Sequence, residues 1–142
     1  MKNNREVLSS ILKTVQIGQT GIRSVLDMGM QSSLRKELEA QLQEYSAIEM
    51  EAHTIASQRG WELRDLDPAV RFLTDVCSRA RVNGRNTDSI IAGMVIRRST
   101  NGMIQGLKDI HRLGKPDPQI QTISQRLLDR EAASVQQMKG YL

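Results

Sequence analysis

The fold is decided by the stretch at residues 32–60, which reads SSLRKELEAQLQEYSAIEMEAHTIASQRG. Steps of three and four residues alternate along it, at Leu34, Leu38, Gln41, Tyr45, Ile48, Ala52 and Ile55. This spacing is typical of a helix that presents one stripe of side chains to its neighbours. Ser32 or Ser33 is a suitable N-cap, and Gly60 is a natural stop. The pattern therefore predicts one long helix.

Three further segments repeat this spacing and predict three more long helices. The first follows a cap at Asn4, and its stripe is Leu8, Ile11, Val15, Gly18, Ile22, Val25 and Gly29. The next follows a cap at Asn86 or Thr87, and its stripe is Ile91, Val95, Ser99, Gly102, Gly106, Ile110 and Leu113. The last follows the cap-then-proline pair Asp117-Pro118, and its stripe is Ile120, Ile123 or Ser124, Leu127, Glu131, Ser134, Met138 and Tyr141.

Between the second and third long helices, a connector and a short helix are expected. Residues 60–67 form the connector, in which Trp61 and Leu63 are expected to cover one end of the bundle. Asp67-Pro68 then begins a short helix. Its apolar positions are Val70, Leu73, Val76, Cys77 and Ala80.

These elements predict an all-α fold in one domain, residues 1–142. Aromatic residues make up only 3% of the chain and there are three prolines, and no alternating β pattern occurs. The first two helices are joined by only a few residues, which favours antiparallel neighbours. We therefore expect an antiparallel, up-down-up-down four-helix bundle with one extra short helix between helices 2 and 3.

The charge pattern favours a solvated surface over a nucleic-acid interface. The net charge of +4 results from 20 Lys and Arg against 16 Asp and Glu, a mixture typical of soluble surfaces. Basic residues gather at Arg79, Arg81, Arg85, Arg97, Arg98, Lys108, Arg112 and Lys115. Aromatic stacking partners are scarce, so surface charge is the favoured interpretation, with nonspecific association with nucleic acid as the weaker alternative.

The N-terminal segment lacks the continuous apolar region of a signal peptide, and no stretch approaches the ~20 apolar residues that span a bilayer. A cytoplasmic protein without membrane insertion is expected. Cys77 is the single cysteine, so an intrachain disulfide is excluded, and a small buried hydrophobe is the favoured interpretation.

The middle of the bundle is the most informative region. The midpoints of the four stripes fall near Gly18, Tyr45, Gly102 and Glu131, so these residues are expected to share one layer. The predicted mid-bundle polar layer consists of Gln19, Gln41, Tyr45, Arg98, Gln105 and Glu131.

Glu131 leaves two alternatives open. It is either buried and held by partners, with Arg98, the Tyr45 hydroxyl or the glutamines as candidates, or it reaches solvent at the edge of the stripe.

The chain resembles the ferritin-like superfamily, and more closely a group of small bacterial ferritin-like four-helix-bundle proteins. The matching residues are Ile90-Ile91-Ala92-Gly93-Met94, Ser99-Thr100-Asn101-Gly102-Met103-Ile104, Glu131 and Met138-Lys139-Gly140-Tyr141-Leu142. Ferritin-like di-iron proteins place one glutamate on each of two helices and Glu-x-x-His on each of the other two. In this chain Ser134 stands three residues after Glu131, and Ala47 stands three residues after Glu44, where the di-iron pattern requires histidine.

One or two carboxylates cannot neutralise a di-iron centre. We therefore expect no cofactor, with iron or manganese at Glu131 and Glu44 as the alternative. Glu49 and His53 share a helix face, where a solvated pair is favoured over a surface metal site.

Two functional hypotheses from different classes follow. The first is a non-enzymatic bundle with a degenerate metal site that acts through its surface, by self-association as a dimer or by binding a protein partner. The second is a divergent metal-binding or metal-storing relative of the ferritins that uses the mid-bundle polar layer. The stripe of small residues at Ser99, Gly102 and Gly106 fits close packing inside the bundle, and a dimer contact is the alternative.

Overall fold

The computed structural model describes residues 2–81, 86–115 and 117–142, and the side chains of these residues outside 76–81. The helices are α1 (Asn4–Val25), α2 (Ser32–Gln58), α3 (Pro68–Arg81), α4 (Thr87–Arg112) and α5 (Pro118–Met138), followed by a 3-10 turn at Lys139–Tyr141. The described residues contain five α-helices and no strand, which confirms the all-α prediction.

Two of the long helices, α1 and α5, begin where a side chain satisfies their free N–H groups, whereas the N-caps of α2 and α4, Gln31 and Asn86, make no such bond. The Asn3 side chain accepts from the backbone N–H of Glu6, and the Glu6 carboxylate accepts from the backbone N–H of Asn3, which makes a capping box. Asp117 caps α5 by accepting from the N–H groups of Gln119 and Ile120. At the end of α2, Gly60 adopts the positive φ of 67° that glycine tolerates best.

The four long helices pack side by side around one apolar core. α1 contacts α2 and α4, α5 contacts the same two helices from the opposite side, and α3 packs against α1. The predicted stripe of α2 is buried at every position, and Ala56 is buried with it. Periodicity therefore identified the core face of this helix correctly.

The direction of α4 corrects the predicted up-down-up-down order. The backbone N–H of Gln31, just after α1, donates to Asp88 at the start of α4 at 3.2 Å. At the other end, the N–H of Lys2 donates to the carbonyl of Arg112 at 2.8 Å. α4 therefore runs antiparallel to α1 and parallel to α2.

The order is up-down-down-up because the connection from α2 to α4 travels the length of the helices. Arg5, near the start of α1, donates to the carbonyl of Glu62 at 3.0 Å. Gln16, in the middle of α1, holds both Asp65 and the backbone of Leu66. α3 continues along α1, so the chain returns to the end of the bundle where α1 stops and α2 starts, and α4 begins there. Trp61 and Leu63 pack against the core, as predicted.

α3 presents apolar side chains to solvent. Of the apolar positions that the sequence places on this helix, Leu73 is 59% exposed and Val70 is exposed as well. Phe72 is 66% exposed, whereas Arg71, Thr74 and Asp75 are half-buried.

Several predictions concern positions outside the description. The side chains of Val76, Cys77, Arg79, Ala80 and Arg81 lie outside the described residues. Arg85 lies outside them entirely. Among the described helices, none combines the length and the apolar character needed to cross a membrane.

Candidate ligand-binding cleft

A cleft of about 560 Å³ opens between α1 and α4, halfway along the four helices. α1 contributes Thr14, Ile17 and Gly18, and α4 contributes Met94, Arg97, Arg98, Asn101, Gly102 and Gln105. The floor is made by two side chains that reach across the core, Tyr45 from α2 and Glu131 from α5. All four long helices therefore build the site.

The two floor residues are buried and bonded to each other. Glu131 is 2% exposed, Tyr45 is 3% exposed, and the Tyr45 hydroxyl donates to Oε1 of Glu131. Of the two alternatives for Glu131, the structure therefore supports the buried, partnered one. One of the predicted partners, the Tyr45 hydroxyl, is observed, and Ser99 of α4 also hydrogen-bonds with Glu131.

Burial sets the electrostatics of the floor. Burial raises the pKa of Glu131 to about 7. The hydrogen bond from Tyr45, the charge of Arg130, the hydrogen bond with Ser99 and the charge of Arg98 each lower this pKa, but together they do not offset the effect of burial. The pKa of Tyr45 is raised far above its ordinary value, first by burial and then by the charge of Glu131. Near neutral pH, Glu131 can therefore hold or release a proton while Tyr45 remains a donor.

Glycines provide the space for these polar side chains. A Cβ on Gly18 would lie 2.8 Å from Cε2 of Tyr45, and a Cβ on Gly102 would lie 2.6 Å from Oε2 of Glu131. A Cβ on Gly21 would overlap the guanidinium of Arg98, which crosses from α4 onto the backbone of α1. The four residues at the predicted midpoints, Gly18, Tyr45, Gly102 and Glu131, are thus brought together.

The other residues of the predicted polar layer are distributed differently. Arg98 and Gln105 line the cleft, and Gln105 also donates to Asp109 at 2.8 Å. Gln41 is fully buried beside the floor, where it donates to Gln137 at 3.5 Å while its own Oε1 has no partner. Gln19 is buried, accepts from Arg23, and does not line the cleft.

The two proposed metal ligands, Glu44 and Glu131, differ in their exposure and in their partners. Glu44 is exposed and pairs with Arg130 at 3.2 Å. Around Glu131 the neighbouring charges are Arg98 and Arg130, which repel a cation. Within the described part of the chain, no three His, Cys, Asp or Glu side chains are grouped so that they could hold a metal ion. The residues present do not fit a di-iron centre.

His53 lies close to an acidic residue outside its own helix. Its Nε2 lies 4.0 Å from Oδ1 of Asp65, at the surface, where both side chains are exposed.

Four residues of the site were not predicted from the sequence. Thr14, Ile17, Met94 and Arg97 line the cleft. Thr14 and Met94 lie one helical turn from Gly18 and Arg98, and Ile17 and Arg97 directly precede those two residues in the sequence. Arg97 had been grouped with the surface charges. A signal was present, since residues three or four apart share a helix face, but identifying them required knowing that α1 faces α4.

In comparisons with known proteins, no family model, no curated protein and no solved structure matches this chain. The site must therefore be interpreted from its own geometry.

Proposed function

We propose that this chain is a non-enzymatic binding protein that takes a small molecule into the cleft between α1 and α4. The observation that carries the proposal is a cleft of about 560 Å³ whose floor is the buried Glu131–Tyr45 pair. Ligand pockets typically measure about 300–1,000 Å³ and combine apolar lining with a few placed polar groups. Ile17, Met94 and the Tyr45 ring supply the apolar lining.

The state of Glu131 supports this assignment. A carboxyl with a raised pKa in a cleft is a frequent mark of a functional site, because its burial costs stability. The three glycines that accommodate Tyr45, Arg98 and Glu131 also cost helix stability, about 1 kcal/mol each relative to alanine. A ligand that uses the buried groups accounts for both costs. Binding needs only the shape and charge of the cleft, so we assign binding rather than turnover.

We also propose that the four long helices form a ferritin-like bundle. It is supported by the connection from α2 to α4 that travels the length of the helices, since ferritin-like folds contain one such crossover. The metal-storing alternative is tested by elemental analysis of protein incubated with ferrous iron or manganese and then desalted. The positive charges of Arg98 and Arg130 beside Glu131 repel a metal cation. We therefore expect the desalted protein to retain no stoichiometric amount of metal. Stoichiometric retention that is lost in Glu131→Gln would establish the metal function instead.

A plugged variant tests the proposal directly. Asn101 lies exposed on the rim of the cleft, so Asn101→Trp fills the mouth without entering the core. Leu107→Trp is the matched control, because Leu107 is exposed on the same helix and does not line the cleft. Each protein is incubated with a low-molecular-weight cell extract, desalted and examined by native mass spectrometry.

We expect a small-molecule adduct on the wild type and on Leu107→Trp, and none on Asn101→Trp. Equal adducts on all three proteins, or none on the wild type, would contradict a ligand site in this cleft.

The exposed face of α3 supports a second function, self-association. Val70, Phe72 and Leu73 are exposed on one short helix, and apolar side chains grouped in this way are typical of interfaces. We infer that a second copy of this chain covers them, since a two-fold contact lets one apolar patch bury its own equivalent.

Sedimentation equilibrium tests the dimer. The wild type should be dimeric and Phe72→Ser monomeric, while Met50→Ser, an equally exposed apolar site on α2, should remain dimeric. A wild type that is monomeric throughout the concentration series would refute the inference.

A further inference from the structure

The cleft is lined by residues that carry charges of both signs, Glu131 on the floor and Arg97 and Arg98 on α4. The geometry points to a small zwitterion as its ligand, with a protonated amine at Glu131 and a carboxylate at Arg98. This inference rests on the proposed binding function and adds the chemical class of the ligand. It is carried by the positions of the two charged groups and of the apolar side chains between them.

The negative end of the site is Oε2 of Glu131. Its companion oxygen, Oε1, already accepts from Tyr45. Oε2 lies against the backbone of Gly102, and a Cβ added at Gly102 would be only 2.6 Å from it. Both Gly102 and Glu131 line the cleft. A carboxylate oxygen accepts more than one hydrogen bond, so an ammonium group of a ligand finds an acceptor there.

The positive end is the guanidinium of Arg98, which has five N–H donors and a permanent charge. The Arg98 guanidinium lies against Gly21 of α1. Gly21 is three residues beyond Gly18, and the ring of Tyr45 packs against Gly18. At 1.5 Å per residue, the guanidinium is therefore ~4.5 Å along the helix axis from the Tyr45–Glu131 layer. On α4, Arg98 precedes Gly102 by four residues, or ~6 Å. Arg97 adds a second positive charge to the rim.

A ligand with a single charge satisfies only part of this arrangement. An amine without a carboxylate meets Arg97 and Arg98, which repel it, and a carboxylate without an amine approaches Glu131. A chain whose two charged groups are offset by about 5–6 Å along the helix axis places each beside its opposite charge. An extended amino acid whose amine is on the terminal carbon fits this spacing, and its methylene groups can pack against Ile17 and Met94.

Three probes with the same four-carbon chain separate the contributions of the two charges. They are 4-aminobutyrate, with both charges, butyrate, with the negative charge only, and butylammonium, with the positive charge only. Each is titrated into the full chain at pH 7, and the dissociation constant is measured by isothermal titration calorimetry or by NMR shifts of residues lining the cleft. 4-Aminobutyrate should bind about tenfold more tightly than either single-charge probe, as expected for one additional charged contact.

Two variants provide a check that loss of folding cannot imitate. Arg98→Gln should weaken 4-aminobutyrate about tenfold and strengthen butylammonium, because the repelling charge is gone. Glu131→Gln should weaken 4-aminobutyrate by a similar factor and strengthen butyrate. Each variant must therefore gain affinity for one probe while it loses affinity for another. A protein that has merely lost its structure cannot do both.

The outcomes distinguish this inference from the function on which it rests. If a single-charge probe binds the wild type as tightly as 4-aminobutyrate does, the zwitterion is wrong, while the cleft is still a ligand site. If none of the three probes binds the wild type, the inference fails as well. The Asn101→Trp experiment with cell extract then decides separately whether the cleft binds any small molecule.

Discussion

Replacing Gly102 by alanine tests whether the Glu131–Tyr45 pair depends on a bare helix backbone. Alanine is favoured over glycine within a helix by ~1 kcal/mol, so on propensity alone the substitution should stabilise α4. The added Cβ, however, would lie 2.6 Å from Oε2 of Glu131 and 3.2 Å from its Cδ. The carboxyl group must move, and its hydrogen bond with Tyr45 is then distorted or lost.

The structure gives the sign and the approximate size of the effect. A hydrogen bond to a charged group stabilises a protein by ~1.5–3 kcal/mol. Subtracting the gain of ~1 kcal/mol in helix propensity leaves a net loss of about 1 kcal/mol for Gly102→Ala. For a chain of this size, that lowers the melting temperature by roughly 3 °C. Thr14, whose Cγ2 would lie 3.3 Å from the new Cβ, must also shift slightly.

Urea unfolding followed by circular dichroism measures this difference, and two further variants complete the test. Gly93→Ala is the matched control on the same helix, because its Cβ would lie 3.6 Å from the nearest atom, an ordinary contact with Arg97. It should be stabilised by up to ~1 kcal/mol. In a Glu131→Ala background, Gly102→Ala should also stabilise, because the obstructing carboxyl is absent. If Gly102→Ala stabilises the otherwise unchanged protein as much as Gly93→Ala does, the close approach of Glu131 is refuted.

Three further predictions concern ionisable groups. Because the pKa of Glu131 is raised to about 7, the folded chain binds more protons than the unfolded one between its ordinary pKa of 4.5 and about 7. The stability of the wild type relative to Glu131→Gln should therefore fall by about 3 kcal/mol as the pH rises from 4 to 8, measured by urea unfolding across the series. A difference that stays constant with pH would count against this. Tyr45→Phe removes the hydrogen bond to Glu131, so NMR titration of a carboxyl-labelled sample should show the pKa of Glu131 higher than in the wild type, and an unchanged value would show that the bond has little influence. Arg59 holds the pKa of Asp117 at about 2, so this pair stabilises the fold above the ordinary pKa of 3.8 and its contribution disappears as the pH falls through 2. In acid titrations Asp117→Asn, which keeps the side-chain oxygen that caps α5, should lose less stability than the wild type over that window, and identical acid limbs would contradict the assignment.

The positions of the helices follow from local rules that the sequence carries in full. Asp117-Pro118 sets the start of α5, since aspartate caps and proline lacks only an N–H that would be unpaired there. Gly60 ends α2 because its positive φ suits glycine. The stripe of α2 identifies its buried face because a helix repeats every 3.6 residues whatever it packs against. These determinants act within a few residues, so no knowledge of neighbouring helices was needed.

The shared layer was predicted correctly from a wrong topology, for a geometric reason. Reversing a helix end for end exchanges its termini but leaves its midpoint in place. Gly102 is therefore level with Glu131 whether α4 runs up or down. The direction itself is not written in the stripe, since the spacing is the same in both senses. It was decided by the connection through Leu66 and α3, which is held along α1 by Gln16.

The sequence by itself determined that the chain is helical, where most of its helices begin and end, and which polar residues lie halfway along them. Only the tertiary structure decided that α1 and α4 leave a cleft, that Arg98 crosses to Gly21, and that Tyr45 donates to Glu131. These contacts join residues distant in the chain, and each depends on the rotation and direction of two helices at once. Helix periodicity specifies the faces of one helix but not the neighbour that each face meets.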